Sequence, residues 1–287
     1  MKPFMGIDLT VNKKNEEFND AAWLEQATSA AMVQSVEDGI VRSLETVEKS
    51  ELPLALRIAK IVCGYGGLLI ALGLLRSMIG EEAISLAQAY QNASWLFWLG
   101  GVCIVVWGIL QSMSMKKQKE VLESEEGTQT FSHMEKSIEA ALAELGVPSD
   151  AGEVDVLSFY YKEKDGEIKV QEKMMALAPY STMVFHLFSD DERVYLANAE
   201  GKYAFPRKAI RSIETVKKTV RADTWNKDEE YNKGQYKKFK ITADNYDCIH
   251  FKPYHILHLD KDGEEWGIYF GCYDLAAFEA ATGLKAE

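Results

Sequence analysis

The chain has 287 residues, 47% of them apolar, and a formal net charge of −12. That length and apolar content suit one large or two modest cores and exclude wholesale disorder. The acid excess excludes a general nucleic-acid binder, since neutralising phosphates needs clustered Lys and Arg; four scattered cysteines (Cys63, Cys103, Cys248, Cys272) with no Cys-x-x-Cys pair exclude a disulfide scaffold.

The opening "MKPFMGIDLTVNKKNEEFND" lacks the apolar centre of a cleaved signal peptide. Apolar residues then recur at Met32, Val36, Ile40, Leu44 and Val47, one face of a helix, with Glu37, Asp38, Glu45 and Glu48 opposite. Residues 1–51 therefore read as an amphipathic helical segment, which Pro53 ends.

Two apolar stretches follow. Residues 52–79 hold "IVCGYGGLLIALGLL", flanked by Arg57, Lys60 and Arg76, whose stems can snorkel to lengthen a span. Residues 80–91 read as a short loop and residues 92–115 as the second span. From Ala83 to Met115 no residue is charged, a run of 33, ample for the roughly 20 residues a crossing needs. Arg42, Lys49, Arg57 and Lys60 precede the pair and Lys116, Lys117 and Lys119 follow it. The loop carries Glu81 and Glu82 and no Lys or Arg, so both termini are expected in the cytoplasm of a multi-pass cell-membrane protein. Gly67 with Ala71, Gly73 with Ser77, and Gly101 with Gly108 stand at spacings that let the two helices, or two copies in a homo-oligomer, approach closely.

Residues 116–148 read as a second amphipathic helix. Phe131, Met134, Ile138, Leu142 and Leu145 form its stripe, Ser132 with Glu135 a capping box, and Gly146 and Pro148 its stop. From residue 149 to 287 the texture is that of a β domain. Asp165-Gly166, Gly201 and Asp262-Gly263 mark three hairpins. "RKAIRSIETVKKTV" and "QYKKFKIT" read as further strands. Asp274 is the expected N-cap and Gly283 the C-cap of a closing helix with Leu275 and Phe278 on its apolar face. The pattern predicts an antiparallel sheet curled on itself with the helix at one end. The fold class is thus α+β: a two-helix transmembrane hairpin plus a C-terminal antiparallel β domain closed by one helix.

The stretches "RVYLANAEGKYAFPRKAIRSIETVKKTV" and "YHILHLDKDGEEWGIYFGCYDLAAFEAATG", with the two spans, resemble bacterial pleckstrin-homology-like membrane proteins, in particular the YcxB-like group. The resemblance covers about Glu153 to Gly283 and the spans. It implies a PH-like fold and a membrane location, with no catalytic residues to carry over. PH-like domains serve as scaffolds for phosphoinositides or peptides, though fold does not fix function.

Between Gly201 and Lys240 twelve Lys or Arg stand against five acidic residues. Arg207, Lys208, Arg211, Lys217, Lys218, Arg221, Lys237 and Lys238 are the candidate contacts to an anionic lipid headgroup or a protein partner; the bland reading is a solvated face paired with neighbouring acids. The expected role is membrane-anchored, non-enzymatic recognition, with an accessory subunit of a larger membrane complex as the alternative. No G-x-S-x-G, phosphate loop or H-E-x-x-H is present, and no cofactor is expected. "HFKPYHILHLDKDG" gathers His250, His255 and His258, but strand parity puts His255 and His258 on opposite faces, so no metal site is expected. A three-residue turn at Lys261–Gly263 would place His258 near Trp266 and His255 near Tyr269.

Overall fold

The computed structural model describes residues 1–10, 21–77, 79, 85–174, 176–177, 184–223, 234, 237–244 and 248–287. They divide into two compact units, Met1–Glu37 with Lys136–Glu287, and Asp38–Glu135.

The first unit is built of short strands. From the N-terminus come β1 (Lys2–Pro3), β2 (Ile7–Asp8) and β3 (Leu24–Ala27). After the helices follow β4 (Gly152–Val154), β5 (Tyr160–Lys164), β6 (Glu167–Val170), β7 (Ala176–Leu177), β8 (Phe185–Ser189), β9 (Arg193–Ala197) and β10 (Gly201–Pro206). A 3-10 turn, Arg207–Ala209, leads into β11 (Ile210–Val216), β12 (Val220–Asp223), β13 (Thr242–Ala243), β14 (Cys248–Phe251), β15 (Tyr254–Lys261) and β16 (Glu264–Gly271). The expected single curled sheet is instead four: β1-β16-β15-β11, β3-β10-β9-β8-β4, β13-β14-β12-β7 and β2-β5-β6. Three of them recruit an N-terminal strand, so among the described residues the expected helical segment over residues 1–51 is helical only from Ala30. "QYKKFKIT" is corrected too: residues 237–239 form a helical turn, and among its described residues only Thr242 is in a strand, Thr242–Ala243.

The β15–β16 hairpin organises both cores. Leu257, Leu259, Trp266, Ile268 and Phe270 enter one core; Tyr254, Ile256 and Tyr269 enter the other. Both faces are buried because alternate residues point to opposite sides of the sheet and both sides are covered. Its turn is the two residues Asp262 and Gly263, at φ 56° and 84°, a left-handed pair that Asp-Gly adopts readily. Asp165-Gly166 repeats it at 56° and 79° between β5 and β6. The turn is one residue shorter than expected, so the register moves: His258 opposes Gly267 and His255 opposes Phe270.

The closing helix forms over Leu275–Thr282 with Asp274 as N-cap residue, and Gly283 at φ 76° donates its N–H to the Glu279 carbonyl. Phe278 stacks on Phe270 at 3.9 Å. The Asp274 carboxylate accepts the Asp155 N–H at 2.8 Å, and the Tyr273 hydroxyl donates to Asp155 at 2.9 Å. The cap side chain thus fastens the helix to the segment after β4.

In the second unit the helix begun at Ala30 runs to Ser50 (α1). It is followed by α2 (Leu54–Ser77), α3 (Leu86–Leu122) and the first half of α4 (Glu125–Glu144). Pro53 separates α1 from α2 as expected. Helix α3 continues well past the expected span, and the cap before α4 is Ser124, whose hydroxyl accepts the Gly127 N–H at 3.0 Å; Ser132, the expected cap, lies inside the helix. The expected stripe of α1 holds at Val36, which is buried, and gives way beyond Ile40. Gly39, Ser43, Thr46 and Ser50 are buried, whereas Leu44 and Val47 are exposed. A side chain at Gly39 would meet the Met134 backbone at 3.1 Å, so a small-residue face lets α1 and α4 approach where larger apolar residues would hold them apart.

Helices α2 and α3 pack through Gly64, Gly67 and Gly100: a Cβ there would meet Trp107 at 2.9 Å, Ile104 at 3.1 Å and Ile70 at 3.0 Å. Gly66, Gly73, Gly101 and Gly108 have nothing within 4 Å of such a Cβ. Of the expected pairs, then, Gly67 lies in the contact and Gly73 lines a cavity between α2 and the start of α3, while Gly101 and Gly108 border open space. Both α2 and the Tyr90–Leu122 part of α3 are long and apolar enough to cross a membrane.

Candidate functional site

A groove of about 460 Å³ opens in the β unit where four segments meet: the entry to β3, the start of β9, the 3-10 turn with the start of β11, and the β15–β16 turn. Pro206 ends β10 and forces the turn that carries Lys208 to the groove. Arg211 follows on β11 and pairs with Asp260 at 3.1 Å; the Gly263 N–H, and Arg211 after it, hold the Asp260 carboxyl below its ordinary range. Across the groove Arg193 pairs with Glu25 at 3.2 Å, which raises the guanidinium further.

Trp23 lines the groove. It is only 5% exposed and packs against Phe205 at 5.2 Å and edge-on to Trp266 at 6.0 Å. Lys261 lies across its face, the ammonium 4.9 Å from the ring centroid and bonded to the Ala22 carbonyl. Among the described residues the indole Nε1–H has no hydrogen-bond partner. Buried indole N–H groups are ordinarily satisfied, and an orphan costs about 1–3 kcal/mol.

The eight candidate basic residues divide. Lys208 and Arg211 reach the groove. Arg207 instead donates to the Asp190 and Thr282 carbonyls at 3.0 and 3.1 Å, a structural tie between the β8–β9 turn and the closing helix. Lys218 pairs with Glu172 at 2.5 Å and Arg221 with Asp244 at 2.8 Å. Lys217 and Lys237 are exposed; Lys238, also exposed, lies 4.9 Å from the Phe239 ring. Of the remaining basic residues in that stretch, Lys227 and Lys233 lie outside the described residues.

The three histidines have three separate partners. His250 meets Asp244 at 3.1 Å, His258 meets Glu214 at 2.8 Å, and His255 is buried with its Nδ1 3.3 Å from the Thr215 hydroxyl and its ring stacked on Phe270. Desolvation lowers the His255 pKa, so the ring is held neutral. Among the described residues no group of three or more His, Cys, Asp or Glu is arranged to hold a metal ion. Burial pushes the Cys272 thiol up to about 11, which keeps it protonated and unreactive at neutral pH.

Sequence reasoning missed Trp23, Arg193 and Lys261. Trp23 sits before a four-residue strand, too short to show a period. The only signal for Lys261 is its place beside the Asp-Gly turn. Searches of protein-family models, curated proteins and solved structures return no match to this chain.

Proposed function

We propose that the chain is a membrane-anchored recognition protein without chemistry of its own, in which α2 and α3 form the anchor and the β unit binds a lipid headgroup or a protein partner. The observation that carries the anchor is the outward apolar surface of the helix pair. Val62, Leu69, Trp98 and Val105 are 62, 67, 69 and 61% exposed. Water-soluble surfaces seldom carry contiguous apolar patches beyond a few hundred Å², whereas hydrocarbon solvates such residues at no cost.

Strand pairing supports an even number of crossings. β1, β2 and β3 precede the helices and pair with β16, β5 and β10, which follow them, so both flanks stand on one side of whatever the helices cross. Lys and Arg at those flanks, against a loop bordered only by Arg76, favour the cytoplasm for that side. Antiparallel hairpins ending on the closing helix support reading the β unit as PH-like and the chain as YcxB-like.

Carbonate extraction of membranes tests the anchor. The wild type is expected to stay in the pellet, and Val105→Arg, at an insertion cost of roughly 2.5–3.5 kcal/mol, to lower the retained fraction; release of the wild type overturns the reading. For recognition, the full chain in neutral nanodiscs is exposed to anionic vesicles. Changing Lys217, Lys218, Lys237 and Lys238 to Glu should weaken capture by about 1 kcal/mol per basic residue lost near the surface. Unchanged capture removes headgroup binding by that cluster.

The alternative, an accessory subunit of a larger membrane complex, is favoured by the glycines that face away from the α2–α3 contact. Gly66, Gly101 and Gly108 leave room for a further helix to approach. Copurification with a fixed partner at constant stoichiometry would select this reading.

A further inference from the structure

We infer that the Trp23 groove is a binding site for a single phosphate group of low total charge. The inference rests on reading the β unit as a recognition module. Three features of the groove point the same way.

First, four cations converge from three segments: Arg193, Lys208 with Arg211, and Lys261. Two of them hold carboxylates through one contact each, and Lys261 holds only a backbone carbonyl and an indole face. Lys208 is exposed and has no partner among the described residues. A tetrahedral group with several anionic oxygens uses donors arriving from several directions, whereas a planar carboxylate offers two oxygens in one plane.

Second, the Trp23 Nε1–H is a buried donor with no acceptor among the described residues. The Lys261 side chain covers the indole, and its ties are a cation–π contact and one carbonyl. An incoming phosphate offers Lys261 a better partner. As that side chain swings towards the anion it uncovers Trp23, whose N–H then gains an acceptor. The site is thereby completed by its ligand.

Third, Glu25, Asp260 and Asp262 line the same groove. Against four cations they leave a balance of about one positive charge, which suits a monoester or diester phosphate and repels each further phosphate added to the ligand. A nucleic acid or a polyphosphorylated headgroup would meet these carboxylates.

The test uses the full chain in phosphatidylcholine nanodiscs, titrated with inorganic phosphate, glycerol 3-phosphate and pyrophosphate and followed by calorimetry and tryptophan fluorescence. Saturable binding of the two monophosphates is expected, with pyrophosphate no tighter. Lys208→Gln, on the surface, should weaken binding about tenfold, the loss of one charge-assisted contact. Trp23→Phe should weaken it several-fold and abolish the fluorescence response. Vesicles containing phosphatidic acid, run against glycerol 3-phosphate, separate a lipid source from a soluble one; binding of either supports the site. Absence of saturable binding to inorganic phosphate, glycerol 3-phosphate and phosphatidic acid alike overturns it. So does affinity unaltered in the Lys208→Gln, Lys261→Met double variant, and so does tenfold tighter binding of pyrophosphate. The vesicle test on Lys217, Lys218, Lys237 and Lys238 addresses residues outside the groove, so either result stands without the other.

Discussion

In the β unit Trp266, Phe270 and Phe278 are 1, 0 and 0% exposed, whereas in the helical unit Trp95, Leu69 and Trp98 are 65, 67 and 69% exposed. The same residue types face inward in one half of the chain and outward in the other. In water the hydrophobic effect drives the first arrangement. The second is the arrangement the proposed membrane anchor calls for, in which close contact between helices replaces burial as the source of cohesion. Large aromatic side chains therefore hold the β unit together, and missing side chains, the glycines at 64, 67 and 100, hold the helix pair together.

The sharpest way to break this contrast is to truncate one side chain in each half. Phe270→Ala removes a ring packed between Phe278 and His255 and is expected to cost about 3–5 kcal/mol in denaturant unfolding of the β unit. Leu69→Ala, on the outer face of α2, should change stability by less than about 0.5 kcal/mol. Equal losses at the two positions would mean that the outer face of α2 is packed against protein.

A smaller effect comes from adding atoms. Gly67→Val drives a side chain into Ile104 and should destabilise the helix pair by about 1–3 kcal/mol in detergent titrations monitored by circular dichroism. Gly66→Val, one residue on and facing open space, should be neutral. A penalty at both would show the outward glycines to be occupied as well.

The smallest effect is a pH dependence confined to the β unit. His255 is buried and its folded pKa lies below the ordinary value near 6.5. Below that value the unfolded chain takes up a proton that the folded chain refuses. The stabilisation is therefore complete above about pH 6.5 and is lost as pH falls towards the folded pKa. One such group limits the slope to about 1.4 kcal/mol per pH unit. Unfolding midpoints measured from pH 7.5 to 5 should fall, and His255→Gln should flatten that part of the curve.

Some of this architecture was legible before any coordinates. The Asp-Gly turns and Gly283 stand where the backbone needs positive φ, and they fix two hairpins and the end of the closing helix. The charge-free run beginning at Ala83 gives the second apolar helix by itself. Other parts left little trace. Strands β1 and β2 have two residues each, too few for any alternation, and their partners lie far along the chain. The face of α1 was misplaced because apolar periodicity points to Leu44 and Val47, while the contact with α4 is made by glycine and serine, which hydropathy ignores. The basic stretch was visible as composition, but composition does not reveal that Arg207, Lys218 and Arg221 are engaged elsewhere, nor that Lys208 and Arg211 share a groove with a tryptophan from the other end of the chain.

The pairing of β1 with β16 sets an order of events during synthesis. Lys2 and Pro3 leave the ribosome long before their partners Trp266 and Gly267. The apolar helices α2 and α3 emerge in between, while β1 to β3 are still unpaired. Long-range pairings of this kind form slowly. The nascent chain must therefore keep Lys2 and Pro3 open until β16 has been made, and a ribosome stalled at any point before β16 leaves the helix pair joined to an incomplete β unit.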